Sequence, residues 1–268
     1  MEIPKIIHYC WFGQNKLPDT AIKCIDSWKK YLPDYEIKEW NENNFDVNSI
    51  PYTAQAYNAK KYAFVSDYAR FKILYDHGGL YFDTDVELIR PLKDIIADGP
   101  FMGCERDANE VNDISLLGIN PGLGLGAFRG MDFYREILDK YESINFLNND
   151  GTPNTLETVV TIVTKILIDH GLKLTPNIQD CTGINIYPKE YFAPKDVISK
   201  RLNITNNTRS IHHYDASWAE WYDRAAGKRG PKLKKLLGAT MGQNLNVCIY
   251  LIQKYGFIGV INKILRIK

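Results

Sequence analysis

Residues 66–85 join a helix, a glycine pair, a short apolar strand and two aspartates without a break. Apolar residues at helical spacing predict the helix, and Gly78-Gly79 supplies the permissive backbone that ends it. Leu80-Tyr81-Phe82 is typical of a short buried strand, and it runs directly into Asp83 and Asp85. We therefore expect a helix-to-strand connection that carries two carboxylates to the end of a strand.

The two aspartates are candidate metal ligands. Asp83 and Asp85 are separated by one residue where the strand ends, so both carboxylates can turn toward one ligand. Hard oxygen donors suit Mg²⁺ or Mn²⁺, usually with ligand phosphates completing the shell. An Asp-x-Asp pair alone more often caps a turn, but the preceding helix, glycine pair and strand favour the metal site. Asp67 and Arg70, one helical turn apart, add a carboxylate and a cation.

The composition is that of a soluble globular protein, with 268 residues of which 45% are hydrophobic and 24% charged. This length fits one large α/β domain or two small ones. The five cysteines are scattered, odd in number and lack a Cys-x-x-Cys pair. That pattern argues against a disulfide framework or a zinc ribbon and indicates a reducing compartment. The N-terminus has no signal-peptide pattern, so we expect a cytoplasmic protein.

Charge is distributed unevenly along the chain. From Arg224 to the end there are ten Lys or Arg and no Asp or Glu, so with a total of +1 the first 223 residues carry −9. We expect a folded domain over residues 1–223 and a basic helical extension over residues 224–268. The extension either packs on the domain or attaches to the anionic inner face of a membrane. Its apolar stretches are interrupted by polar residues, which argues against a spanning helix.

Nucleic acid is not an expected partner, since the sequence has no zinc-finger, recognition-helix or RNA-binding signature.

The first forty residues predict a strand, helix and strand of a nucleotide-binding α/β sheet. Residues 3–12 and 35–40 are the predicted strands, and Pro18-Asp19 opens the helix between them. Ligands of such sheets bind at the carboxyl ends of the strands, where Trp11 lies. One face of the helix is predicted to be buried, with Ala21, Ile22, Ile25, Trp28 and Leu32.

Further helices are predicted over residues 53–62, 131–141 and 155–170, and further strands over 86–89, 101–105, 114–119, 184–187 and 191–192. The segment from Gly122 to Ala127 formally matches the dinucleotide pattern G-x-G-x-x-A. Because Asn120-Pro121 breaks the strand before it, we expect a close-packed or flexible loop near an acceptor site instead. Near the C-terminus, His212-His213 precedes Ser217-Trp218. A histidine pair in a chain with Asp-x-Asp favours one metal-binding histidine, either His212 or His213.

The pattern Ser66-Asp67-x-x-Arg70 followed by Gly78-Gly79-x-Tyr81-x-Asp83-x-Asp85 resembles the sugar-nucleotide-binding region of the DXD glycosyltransferases. This family includes yeast-type initiating mannosyltransferases and bacterial capsule or lipopolysaccharide transferases, and the clostridial glucosylating toxins show a related pattern. The opening Ile3-Pro4-Lys5-Ile6-Ile7-His8 with Trp11-x-Gly13 is similar to the start of the same family. The resemblance implies a GT-A type α/β fold, with a mixed, mainly parallel sheet flanked by helices and a helical C-terminal extension.

The same resemblance implies a metal-dependent, retaining glycosyltransferase (a hexosyltransferase) that uses Mn²⁺ or Mg²⁺. Its expected donor is a nucleotide sugar, a UDP-sugar before GDP-mannose. Its expected acceptor is a saccharide or lipid-linked oligosaccharide in capsule, lipopolysaccharide or other surface polysaccharide synthesis. Two alternatives remain: a non-catalytic sugar-nucleotide-binding module at a membrane surface, and a metal-dependent phosphohydrolase. The phosphohydrolase is disfavoured because no second carboxylate cluster is evident for two-metal chemistry.

The resemblance also assigns roles to the residues of the motif. It makes Asp85 the direct metal ligand and lets Asp83 bridge to ribose, sugar or metal. His213, which precedes an aromatic residue, matches the position of a third metal ligand. Asp67 and Arg70 are expected to hold hydroxyl groups of the donor sugar, and Arg70 can also reach phosphate.

Five further residues are expected around the nucleotide. By the same resemblance, Trp11 lies against the base. Ser66 and Tyr81 line the nucleotide pocket, and Ser217 and Trp218 close over the diphosphate.

Overall fold

The computed structural model of the protein describes residues 2–155, 157–196, 201–215 and 221–265. The chain forms two compact units, Met1–Tyr214 and Asp215–Lys268. The first unit is an α/β structure and the second is a helical hairpin. The predicted boundary between a domain over residues 1–223 and a basic helical extension over residues 224–268 stays a prediction.

The first unit is built on a seven-stranded sheet with the order β2-β1-β3-β6-β5-β8-β7, beside a two-stranded sheet of β4 and β9. Strands β1, β2, β3, β5 and β8 run in one direction, whereas β6 and β7 run in the other. The predicted mixed sheet, with most strands parallel, is confirmed. The strands are β1 Ile6–Cys10, β2 Glu36–Trp40, β3 Gly79–Tyr81, β4 Val86–Leu88, β5 Phe101–Gly103, β6 Leu125–Ala127, β7 Gln179–Cys181, β8 Ile184–Tyr187 and β9 Ser210–His212.

Helices of the first unit cover both faces of the sheet. One apolar cluster contains Leu80 together with Trp28 of the first helix, and the other contains Tyr81 together with Phe71 of the third. Neighbouring strand residues thus point to opposite faces. The helices of the first unit are α1 Asp19–Tyr31, α2 Pro51–Asn58, α3 Tyr62–His77, α4 Lys93–Ala97, α5 Asp132–Glu142, α6 Val159–Asp169 and α7 Lys189–Phe192.

The second unit consists of α8 Trp221–Leu237 and α9 Ala239–Leu265, joined at Gly238. Gly256 has non-helical angles and kinks α9. No helix in the described part of the chain is both long and apolar enough to cross a membrane.

Four local predictions were wrong. Residues 114–119 do not form a strand but begin with a 3₁₀ turn, Ile114–Leu117, which Asp113 caps by accepting from the backbone N–H of Ser115. Tyr191 and Phe192 end the short helix α7 rather than forming a strand. Ile22 lies at the margin of the apolar face of α1 and is 46% exposed.

The fourth error concerns the glycine-rich segment, which was expected to be a loop. Its residues Leu125–Ala127 form β6, a central strand between β3 and β5. A side chain at Gly126 would collide with the ring of Phe101, and one at Gly124 would meet the ring of Phe82 at 2.9 Å. The glycines are therefore required by the packing of two large rings and not by flexibility.

The junction between α3 and β3 depends on the glycine pair. Gly78 donates its N–H to the carbonyl oxygen of Leu74 over 2.7 Å and ends the helix. Gly78 and Gly79 both have positive φ, +65° and +102°, and a Cβ at Gly79 would lie 2.6 Å from the carbonyl oxygen of Ile6. Only glycine fits this turn without strain, as the sequence predicted.

A buried histidine connects this junction to β1 and β2. The indole Nε1 of Trp40 donates to Nδ1 of His8 over 3.0 Å, and Nε2 of His8 lies 3.0 Å from the carbonyl oxygen of Gly78. Because an indole can only donate, Nδ1 must carry no proton and Nε2 must donate to Gly78. Protonating Nδ1 would break the bond to Trp40. Burial lowers the pKa of His8 to about 4.

This arrangement predicts a pH-dependent contribution to stability. In the unfolded chain His8 takes up a proton near pH 6.5, whereas in the folded protein it does so only near about 4. As the pH falls through this window, the unfolded state binds more protons, so His8 lowers the free energy of unfolding by up to about 3 kcal/mol. The loss is complete below the lower value and absent above the higher one.

Urea unfolding of the wild type and of His8→Gln across this pH window tests the prediction. The buried carboxyl of Asp67 titrates with the opposite sign, so the difference between the two proteins is the informative quantity. The free-energy difference should shift in favour of the variant as the solution is acidified. A difference that stays constant with pH would contradict the assignment.

Candidate functional site

The candidate site lies at one edge of the sheet, because the ends of several strands meet there. The parallel strands β1, β3 and β5 lead into Trp11, Asp83 and Glu105. Strand β6 runs the opposite way, so the segment before it, with Asn120 and Gly122, reaches the same edge. Groups from four segments of the chain are thus brought to one end of the sheet.

Arg70 of α3 is the centre of this edge and is only 3% exposed. Its Nη2 donates to Oδ1 of Asp67 over 2.9 Å and lies 3.3 Å from Oδ1 of Asp83. Its Nε donates to the carbonyl oxygen of Ser66 over 3.1 Å, and the guanidinium lies 5.0 Å from the centre of the Tyr81 ring. A buried cation therefore links the helix to the strand that carries the first aspartate.

Burial changes the pKa values of Asp67, Asp83 and Arg70. It raises the pKa of Asp67 to about 7, although Arg70 opposes the shift. Burial also raises the pKa of Asp83, again against the effect of Arg70. For Arg70, burial disfavours the charge, but Asp83, Tyr81 and Asp67 outweigh it and leave its pKa above the usual value. The guanidinium consequently keeps its charge, and the site retains a fixed cation.

Asp83, Asp85 and His212 form a group that can hold a metal ion. Each offers one ligand atom, and the three atoms lie within 4.8 Å of one another. His212 comes from the distant strand β9, which pairs with β4 so that His212 lies opposite Val86. Nε2 of His212 is 3.0 Å from Oδ1 of Asp85, while its Nδ1 is buried without a hydrogen-bond partner.

This donor set fits the predicted metal. Two carboxylate oxygens and one imidazole nitrogen suit Mn²⁺ better than Mg²⁺, which prefers oxygen ligands. Burial lowers the pKa of His212, but the carboxylate of Asp85 outweighs this and raises it overall. The carboxylate of Asp85, 3.0 Å from the imidazole, thus favours the charged form of His212.

His213, the predicted third ligand, is directed elsewhere. Its Nε2 lies 2.8 Å from Oε2 of Glu87, and its backbone N–H donates to the carbonyl oxygen of Asp85. Adjacent residues of an extended segment point to opposite faces, so only one histidine of the pair can face the aspartates. The structure places His212, the alternative that the sequence left open, beside the two aspartates, and places His213 beside Glu87.

Other predicted site residues occupy the same edge with partners of their own. Trp11 follows β1 and donates its Nε1 to the carbonyl oxygen of Asn15 over 2.6 Å. The hydroxyl of Ser66 donates to the carbonyl oxygen of Tyr62, and that of Tyr81 donates to Oδ1 of Asp83 over 3.1 Å. Their roles toward a nucleotide stay predictions. The predicted residues Ser217 and Trp218 lie outside the described residues.

Three residues at the site were not singled out as site residues from the sequence. Asn120 donates its Nδ2 to Oε1 of Glu105 over 2.7 Å, and its Oδ1 accepts from the backbone N–H of Gly122 over 2.6 Å. Gly122 lies so close to the carboxylate of Asp83 that any Cβ would overlap it. An Asn-Pro-Gly sequence is an ordinary turn signal, so only the reversed direction of β6 reveals its place at the site.

Comparison with known proteins agrees with the motif. Residues 18–102 match the family model described as a glycosyltransferase sugar-binding region containing a DXD motif. The predicted resemblance is thereby confirmed for the part of the chain that contains α3, β3 and both aspartates.

Curated relatives match a similar stretch. Inositol phosphoceramide mannosyltransferase 3 of Schizosaccharomyces pombe is 33% identical over 98 residues, which cover 35% of this chain and 27% of the relative. Inositol phosphoceramide mannosyltransferase 1 of the same yeast is 25% identical over 112 residues, which cover 38% of this chain and 34% of the relative. The chain thus spans only 27% and 34% of the length of these relatives.

A solved structure, the PaToxG glycosyltransferase, superimposes with a TM-score of 0.47 and 19% identity, covering 62% of this chain and 69% of that one. We draw no conclusion about activity from so distant a likeness.

The geometry of Asp83, Asp85 and His212 predicts which histidine contributes to Mn²⁺ binding. His212→Gln should weaken Mn²⁺ binding at least about tenfold, because it removes one of three converging ligand atoms. His213→Gln should bind Mn²⁺ like the wild type, since His213 faces Glu87. Titration calorimetry of both purified variants measures this, and circular dichroism checks that both fold. Loss of binding in His213→Gln alone would return the assignment to the original prediction.

The close approach of Gly122 to Asp83 gives a second prediction. Gly122→Ala should displace the carboxylate of Asp83 and weaken Mn²⁺ binding about tenfold, in the range observed when groups that orient a ligand are changed. Gly227→Ala is the matched control, because a Cβ there meets no atom within 4 Å. If Gly122→Ala binds Mn²⁺ as tightly as the control variant, the packing of Gly122 against Asp83 does not position the ligand.

Proposed function

We propose that this chain, whose residues 18–102 match the DXD sugar-binding region of glycosyltransferases, is a metal-dependent glycosyltransferase acting on a nucleotide-sugar donor. The observation that carries the proposal is the group Asp83, Asp85 and His212 beside the buried cation of Arg70. A diphosphate is the ligand that such a combination of metal and fixed positive charge suits best.

The chemistry follows from the leaving group. Transfer breaks the bond between the anomeric carbon and the phosphate oxygen and forms a bond from that carbon to an acceptor oxygen. The acceptor hydroxyl loses its proton, which passes to the departing phosphate oxygen in a front-face, retaining reaction. A bound Mn²⁺ would neutralise the charge that develops on the diphosphate.

Residues of this chain have distinct parts in that reaction. Asp83, Asp85 and His212 would hold the metal, and Asp67 with Arg70 would bind hydroxyl groups of the donor sugar. Because Arg70 is fixed by Asp67, Asp83 and the carbonyl of Ser66, it needs no reorganisation when the donor binds. Trp11 and Tyr81 would line the nucleotide side, and Ser217 and Trp218 would close over the diphosphate.

Donor and acceptor are proposed by class. A UDP-sugar is our first choice of donor. The names of the two yeast relatives, both mannosyltransferases, support GDP-mannose as the second. The proposed acceptor is a saccharide or lipid-linked oligosaccharide of a surface polysaccharide, reached from the cytoplasmic side of a membrane.

A panel of nucleoside diphosphates tested by thermal shift with Mn²⁺ should identify the donor base. Uridine or guanosine diphosphate should raise the melting temperature of the wild type only when Mn²⁺ is present, since the metal joins the protein to the diphosphate. Asp85→Ala should lose this shift and lower sugar transfer at least about a hundredfold.

Asp26→Ala is the matched control, because Asp26 is an exposed aspartate paired with Lys29 on the surface of α1. Full transfer by Asp85→Ala, or by the wild type in excess chelator, would overturn the proposal. Binding of a nucleotide sugar without release of nucleoside diphosphate, whatever saccharide is supplied, would favour the non-catalytic binding module.

A further inference from the structure

The hairpin of α8 and α9 has a polar interior. Gly242 is buried against the backbone of Leu233, leaving no room for a side chain between the helices. Across the same interface, Arg229 donates from Nε to Oδ1 of Asn246 over 2.9 Å and from Nη1 to Oε1 of Gln253 over 3.2 Å. Asn246 in turn donates to the carbonyl oxygen of Ala226. Close backbone approach and hydrogen bonds between polar side chains contribute to joining the two helices.

Part of the exposed surface of α9 is an apolar stripe. Met241, Leu245, Cys248 and Ile252 follow one another at spacings of four, three and four residues, which places them within about 60° around the helix axis. Met241 is 63% exposed, Leu245 40% and Ile252 42%, and Cys248 is also exposed. We call these four residues the outer stripe.

This distribution is the reverse of what water favours. A helix of a soluble hairpin normally buries its apolar stripe against its partner and exposes polar residues. In lipid the preference changes, because small residues and interhelical hydrogen bonds hold helices together while apolar side chains face the acyl chains. The polar interior and the apolar outer stripe therefore indicate a surface that meets lipid.

The charge of the segment from Arg224 onward indicates the charge of the lipid head groups that it would bind. From Arg224 onward the chain carries ten basic residues and no acidic one. Lys232, Lys234 and Lys235 are exposed in the last turns of α8, next to Leu236, which is 77% exposed. Such a surface is attracted to anionic head groups. A second copy of the chain would bring the same positive charges together, so self-association is disfavoured.

We propose that the α8–α9 hairpin lies in the interface of an anionic phospholipid membrane, with the outer stripe in the acyl region and the lysines of α8 at the phosphates. The hairpin is embedded without crossing, in agreement with the lack of a spanning helix among the described residues. The proposal concerns a binding surface remote in sequence from the metal group, and it holds or fails independently of the sugar-transfer activity.

Co-sedimentation of the full chain with vesicles tests the surface. Vesicles of phosphatidylcholine with phosphatidylglycerol should bind the protein, binding should weaken as salt is raised, and phosphatidylcholine alone should bind it poorly. Leu245→Glu should lower the partition coefficient at least about tenfold, because a carboxylate would enter the acyl region. Gln243→Glu adds the same charge at an exposed polar position of α9 outside the outer stripe. It should retain most of the binding.

A spectroscopic measurement reports the depth of the outer stripe. Cys248 is the exposed cysteine, whereas Cys10, Cys24, Cys104 and Cys181 are buried, so a thiol-reactive, polarity-sensitive fluorophore labels Cys248 in the folded protein. Its emission should shift to the blue with anionic vesicles. The same fluorophore at Gln243→Cys in a Cys248→Ser background should shift less.

Several outcomes would overturn the proposal. Failure of the wild type to bind anionic vesicles would remove it, as would equal loss of binding in Leu245→Glu and Gln243→Glu. A blue shift at Cys248 produced by RNA but not by vesicles would indicate a nucleic-acid surface instead. Circular dichroism of each variant shows whether the hairpin is folded, and exposed substitutions of this kind usually leave stability almost unchanged.

Discussion

The buried guanidinium of Arg70 constrains the first unit more than any other single group. Removing a charge from water costs several kcal/mol. Opposite charges and hydrogen bonds offset this cost only when they are well placed around the buried group. Asp67 sits one turn earlier on α3, Asp83 follows β3, and the ring of Tyr81 lies alongside. The angle between helix and strand must therefore satisfy all three partners at once. The glycine pair permits that angle, and His8 holds the turn from the opposite side through the carbonyl of Gly78.

The features that the sequence predicted correctly depend on residues that are close together in the chain. The turn at Gly78-Gly79, the buried strand after it and the two aspartates all lie within one continuous segment, where spacing alone carries the information. Which of His212 and His213 faces the aspartates could not be predicted from the sequence. It depends on the register of β9 against β4, two strands far apart in the chain. The strand identity of Leu125–Ala127 was hidden for a similar reason. Its glycines are selected by the rings of Phe101 and Phe82, which belong to other segments.

Each unit contains an arginine held by side chains from other parts of the chain, but the partners differ. The buried guanidinium of Arg70 contacts the carboxylates of Asp67 and Asp83, which hold it in one position. Arg229 donates to the side-chain amides of Asn246 and Gln253, which carry no charge. The first arrangement fixes a geometry, whereas the second keeps a long-range positive potential on a helical surface. The charge difference itself comes from the sequence, with −9 over the first 223 residues and +10 from Arg224 onward.

The antiparallel direction of β6 within a mostly parallel sheet affects which residues near the site can differ between related proteins. Because β6 approaches the site from the opposite direction, residues 104–124 enter and leave the edge without crossing the ladder between β3 and β6. Insertions or substitutions in the part of that segment before Asn120 and Gly122 can change the residues beside the site while the strand that carries the aspartates keeps its register. Gly122 is excluded from this freedom, because it packs against the carboxylate of Asp83.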